Sequence, residues 1–126
     1  MESVKFLDSA KDILASFNDE VSRRNCVSRA YYGAYHTCLA ACSNLGLELP
    51  AINSGSHLRL ITALKDNSET YYIGSDLAEL KKYRTKADYH LKANISRRDA
   101  QIVISRAEAL IADVHRLFDS DAETCD

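Results

Sequence analysis

Apolar residues recur along this chain at the three- and four-residue intervals of helices, and nowhere alternate long enough to make a strand. Val4, Leu7, Leu14 and Phe17 fall on one stripe and predict a first helix over about 3–17. Asn18 and Asp19 break it and offer a cap to a second, over about 20–44. That long run of good helix formers is interrupted only by Gly33, which costs about 1 kcal/mol against alanine. Gly33 is therefore read as a point of close approach by another helix. Gly46 is a natural stop, and 47–56, with the only proline, reads as loop. Leu60, Ile61 and Leu64 mark a third helix over about 57–67. Ser68 to Ser75 reads as a connection, with Ser75 capping a fourth helix over about 76–92. Ser96 to Asp99 has the shape of a capping box, Asp replacing the usual Glu or Gln. It opens a fifth helix over about 97–119, on which Val103, Ala107, Leu110, Val114 and Leu117 form one stripe.

Five helices with short connections predict an all-α antiparallel bundle. It is read as a single domain over 1–119, followed by a flexible acidic tail over 120–126. A chain of 126 residues can bury one core without staples. No apolar run approaches the ~20 residues of a membrane span. The segment MESVKFLDSAKD is too charged for a signal peptide, so a cytoplasmic protein without membrane association is expected. Cys26, Cys38, Cys42 and Cys125 lack paired metal spacing. Cys38 and Cys42, near His36, are read as small residues in a helix seam, and no metal or cofactor is expected. The formal net charge of −2 gives no global pull toward nucleic acid. The basic clusters Arg23–Arg24, Lys81–Lys82 with Arg84 and Lys86, and Arg97–Arg98 read first as solvated helix faces.

One position breaks the pattern. The fourth helix beats Leu77, Leu80, position 84, Ala87, Leu91, and position 84 holds an arginine. Two segments echo each other here, RAYYGAYH (Arg29–His36) and RTKADYH (Arg84–His90). Arg29 and His36 lie about 20° apart on their helix, with Tyr32 between them. Arg84 and Asp88 are helical neighbours able to pair, while His90 points about 120° away from Arg84. Each residue has a purely structural reading: Tyr31, Tyr32 and Tyr35 as core aromatics, Arg84 with Asp88 as an ion pair fixing packing. Taken together they are harder to assign to packing alone. Arginine has five N–H donors whose fork matches carboxylate or phosphate, and histidine titrates near neutral pH. Arg plus His suffices to cut RNA without a metal, His taking the 2′-OH proton and Arg stabilising the phosphorane.

SRAYYGAYH on a long second helix, followed by LKKYRTKADYHL on the fourth, resembles the HEPN family from about Val4 to Phe118. The resemblance implies a homodimer with its cleft at the two-fold interface. It also implies a metal-independent endoribonuclease of toxin or defence type, leaving 2′,3′-cyclic phosphate ends. Its catalytic residues would be Arg84 and His90, supported by Asp88, Tyr89, Arg29, Tyr32 and His36. RNA or a nucleotide would be the ligand, and a nucleotidyltransferase antitoxin a partner. The alternative is a catalytically inert module that binds a nucleotide or such a partner, with Arg84 locked to Asp88. The plainest reading is an adaptor whose charged motif only fixes packing.

Overall fold

The computed structural model describes residues 2–44 and 55–124, with side chains through residue 118. Five helices fill these segments: α1 (Val4–Ser16), α2 (Glu20–Asn44), α3 (Ser56–Lys65), α4 (Tyr71–Tyr89) and α5 (Arg97–Thr124). The expected stop at Gly46 and nearly all of the Pro50 loop lie outside the described residues.

α2 is the central element and touches each of the other four helices. Its sequence explains why. Cys26, Val27, Ala30, Tyr31, Ala34, Tyr35, Cys38, Ala41 and Cys42 are all buried, so apolar side chains surround most of the helix and no single stripe dominates. Gly33 lets α1 in: a β-carbon there would stand 3.3 Å from the Leu7 backbone nitrogen and 3.5 Å from Phe6 Cβ. α5 lays Val103, Ala107, Leu110 and Val114 against the core, as its stripe predicts. Phe17, expected on the stripe of the first helix, follows the helix end and is exposed.

Two of the three helix starts read from capping residues are present, those of α2 and α5. Asp19 Oδ1 accepts the Ser22 N–H at 2.7 Å. The capping box before α5 closes in both directions, Ser96 N to Asp99 Oδ2 at 2.9 Å and Asp99 N to Ser96 Oγ at 3.0 Å. The backbone of α5 stays helical to Thr124, past the expected limit of about 119.

α4 departs most from expectation. It begins at Tyr71, so Ser75 lies inside it and caps nothing. Exposed Tyr71 and Tyr72 beside Gly74 look like loop, but Ile73 and Gly74 are buried against α3. A β-carbon on Gly74 would come within 3.0 Å of Leu64 Cβ. Thr70 ties the two helices together, its hydroxyl donating to Leu64 O at 2.7 Å. α4 ends at Tyr89 rather than near 92, which leaves Leu91 exposed instead of on the buried stripe.

Candidate functional site at the α2–α4 seam

Arg84 projects from the apolar stripe of α4 onto α2 and is largely enclosed, its side chain 14% exposed. What surrounds it is aromatic. The guanidinium carbon sits 5.4 Å from the Tyr32 ring centre, 5.3 Å from Tyr89 and 6.0 Å from Tyr31. Three electron-rich faces stabilise a cation without neutralising it. Nη2 donates to the Tyr32 hydroxyl at 2.9 Å. Asp88 Oδ2 stands 2.9 Å from Nε but off the N–H axis, making an ion pair without an aligned hydrogen bond. Asp88 is further held by the Ser28 hydroxyl in a long 3.4 Å contact. Nη1 has no acceptor among the described residues. Burial opposes the charge on Arg84, but Tyr32, Asp88 and Tyr89 outweigh it and hold the guanidinium above its ordinary range.

The remaining expected site residues divide into two groups. His36 is half-buried on α2, stacked on Phe6 with ring centres 5.3 Å apart and 6.1 Å from Tyr32. Arg29, one turn before Tyr32, is exposed, with no ion pair or hydrogen bond among the described residues. His90 is exposed as the C-cap of α4, with φ −102° and ψ 78°, outside the helix that carries Arg84. Its backbone is fixed by Arg24, whose guanidinium reaches the carbonyls of Lys86, Ala87, His90, Leu91 and Ala93.

His57 enters the site without having been expected there. Its Nδ1 lies 2.6 Å from the Tyr31 hydroxyl, and its ring stacks on Tyr35 with centres 4.2 Å apart. The signal for it was present. His57 precedes Leu60, Ile61 and Leu64 by three, four and seven residues, so it continues their buried stripe into the first turn of α3. Burial, followed by the charges of Arg84, Lys81 and His36, holds His57 below the ordinary histidine value.

The cysteines stand apart from this chemistry. Cys26, Cys38 and Cys42 are buried, and burial pushes the Cys26 thiol up to about 11 and the other two upward as well. None is a thiolate near neutral pH.

An all-α bundle wrapped around one long central helix, with an arginine–tyrosine seam between its second and fourth helices, defines the class. The HEPN domain model matches residues 2–117, and the chain belongs to the HEPN family, a superfamily with RNase or nucleotide-binding roles. No curated protein matches it. Among the described residues no helix is long and apolar enough to cross a membrane.

Proposed function

We propose that the α2–α4 seam is a phosphate site through which this HEPN domain binds RNA or a nucleotide. Arg84 carries the reading. It is an enclosed guanidinium ringed by tyrosines, with one N–H given to Tyr32, an off-axis carboxylate at Nε, and Nη1 uncommitted among the described residues. Such a fork matches phosphate, and aromatic faces beside it suit a nucleobase. Asp88 holds the charge while the site is empty and need only rotate aside when an anion arrives.

The second reading is metal-independent RNA cleavage of toxin or defence type, by a homodimer that an antitoxin such as a nucleotidyltransferase would restrain. His90 favours it, standing exposed just past the helix that carries Arg84. In that reaction His90 takes the ribose 2′-OH proton, the 2′-oxygen attacks phosphorus, and Arg84 stabilises the phosphorane. The P–O5′ bond then breaks to leave a 2′,3′-cyclic phosphate and a 5′-hydroxyl protonated by water or by the imidazolium.

One set of measurements separates them. AMP and a short single-stranded RNA are titrated against wild type and Arg84→Gln. RNA is also incubated in EDTA with wild type, Arg84→Ala and His90→Ala. Affinity reduced about tenfold or more by Arg84→Gln, with RNA left intact, supports the binding module. Cyclic-phosphate ends that vanish in both alanine variants support the nuclease. Wild type that neither binds nor cuts ends both readings.

A further inference from the structure

Arg84 and His57 come from different helices but share the same two aromatic side chains. Tyr31 and Tyr32 lie 6.0 and 5.4 Å from the Arg84 guanidinium, and their ring centres lie 5.5 and 6.1 Å from that of His57. The contact between Tyr31 and His57 sets the proton on the imidazole. Tyr31 is fully buried, and its hydroxyl has no second partner among the described residues. If Nδ1 carried the proton it would donate to the phenol oxygen, and the phenol's own hydrogen would be stranded. A buried unsatisfied donor costs on the order of 1–3 kcal/mol. Tyr31 therefore donates, Nδ1 accepts, and the neutral ring carries its hydrogen on Nε2. Burial pushes the Tyr31 hydroxyl's ionisation far above neutral pH, so it remains a donor throughout the physiological range.

An imidazole in that tautomer offers an N–H and no free base. We infer that His57 is a second phosphate ligand, donating Nε2–H to an oxygen of the phosphate that Arg84 holds, with Tyr31 as the positioning residue that fixes the tautomer. The inference rests on the phosphate-site reading and deepens it. It also removes His57 as the general base of any cleavage reaction, because its one unprotonated nitrogen is occupied by Tyr31. A donor pair of one permanent cation and one neutral imidazole recognises the anion by geometry as well as charge.

Histidine-selective ¹⁵N NMR on the whole chain reads the tautomer directly, with inorganic phosphate and AMP as probes. At pH 7 His57 is expected as the Nε2–H form, and its Nε2–H resonance is expected to move when either probe binds. His57→Ala should weaken AMP binding about tenfold, and His57→Gln, whose amide N–H replaces Nε2–H, should recover most of it. Circular dichroism checks that both variants are folded. An Nδ1–H tautomer overturns the inference, as does an Nε2–H resonance indifferent to bound AMP. In either case a wild type that binds AMP and an Arg84→Gln variant that does not leave the phosphate site standing. Failure of wild type to bind either probe removes the site and the inference together.

Discussion

A single arginine on an apolar stripe is tolerable when its surroundings are polarisable and one carboxylate lies within reach. Arg84 has both, in three tyrosine rings and Asp88. That much was legible, because a charge at a core position of a helix stands out and Asp88 sits one turn away. His57 was harder to read, because its one signal is a place one turn before Leu60 on the stripe of a short helix, with no motif around it. Its environment nonetheless has a measurable consequence. The folded state holds His57 below its unfolded value, so the unfolded chain takes up the proton first as pH falls. The stability that its neutral form contributes is present above about pH 6.5 and is lost as pH drops through the folded value. The charges facing it belong to Arg84 and Lys81 of α4 and His36 of α2, and none of them adds an acid that would reverse the sign. Urea titrations of wild type and His57→Gln between pH 7.5 and 5 should converge as pH falls, wild type losing more. Parallel curves would mean that His57 titrates alike in both states.

Among the elements, α4 shows which helix ends a sequence reveals. Its start was missed because Tyr71, Tyr72 and Gly74 carry the signals of a loop, whereas Gly74 serves close packing against Leu64 and Thr70 bonds to the end of α3. The caps of α2 and α5 were legible because Asp19, Ser96 and Asp99 bond within three residues of themselves. The end of α4 is set from afar, and no local pattern announces it. Arg24 of α2, sixty-odd residues away in sequence, gathers the carbonyls from Lys86 to Ala93. Its side chain is only 12% exposed, so losing it leaves the part-buried carbonyls of Ala87 and Ala93 without a donor, while those of Lys86 and His90 keep backbone partners. Arg24→Ala should lower the unfolding free energy by about 2–3 kcal/mol. Arg24→Lys should recover little, since an ammonium cannot span the same carbonyls. Amide exchange at His90 and Ala93, both bonded into this turn, should accelerate in either variant. Wild-type stability in Arg24→Ala would show that water satisfies those carbonyls equally well.

For the molecule as a whole, phosphate binding at the seam, as proposed, raises the question of where an acidic protein would find attraction for a phosphate polymer. The formal net charge is −2, and most of the basic clusters are already committed internally. Arg23 binds the carbonyls of Ile95 and Asn18, Arg24 those at the end of α4, and Arg97 that of Leu14. Lys82, Lys11 and Arg116 pair with Glu79, Glu108 and Asp113. Of the basic runs that suggest a nucleic-acid surface in one dimension, Arg23, Arg24 and Arg97 are thus mortar of the bundle in three. Exposed Arg29 and a few lysines remain on the surface, and on the proposed reading the enclosed Arg84, with the neutral imidazole of His57, would hold one phosphate. A protein gripping a single-stranded backbone at Z phosphates shows a log–log salt slope of about −0.7Z. Binding of a short RNA at one phosphate should therefore weaken with a slope of about −0.7, far from the steep dependence of a basic groove. Fluorescence anisotropy from 50 to 300 mM salt measures it. A slope of about −0.7 that Arg84→Gln abolishes together with binding fits one anchored phosphate. A slope beyond about −3 that survives Arg84→Gln would place the RNA on the exposed lysines and Arg29, and the seam would then have no part in holding it.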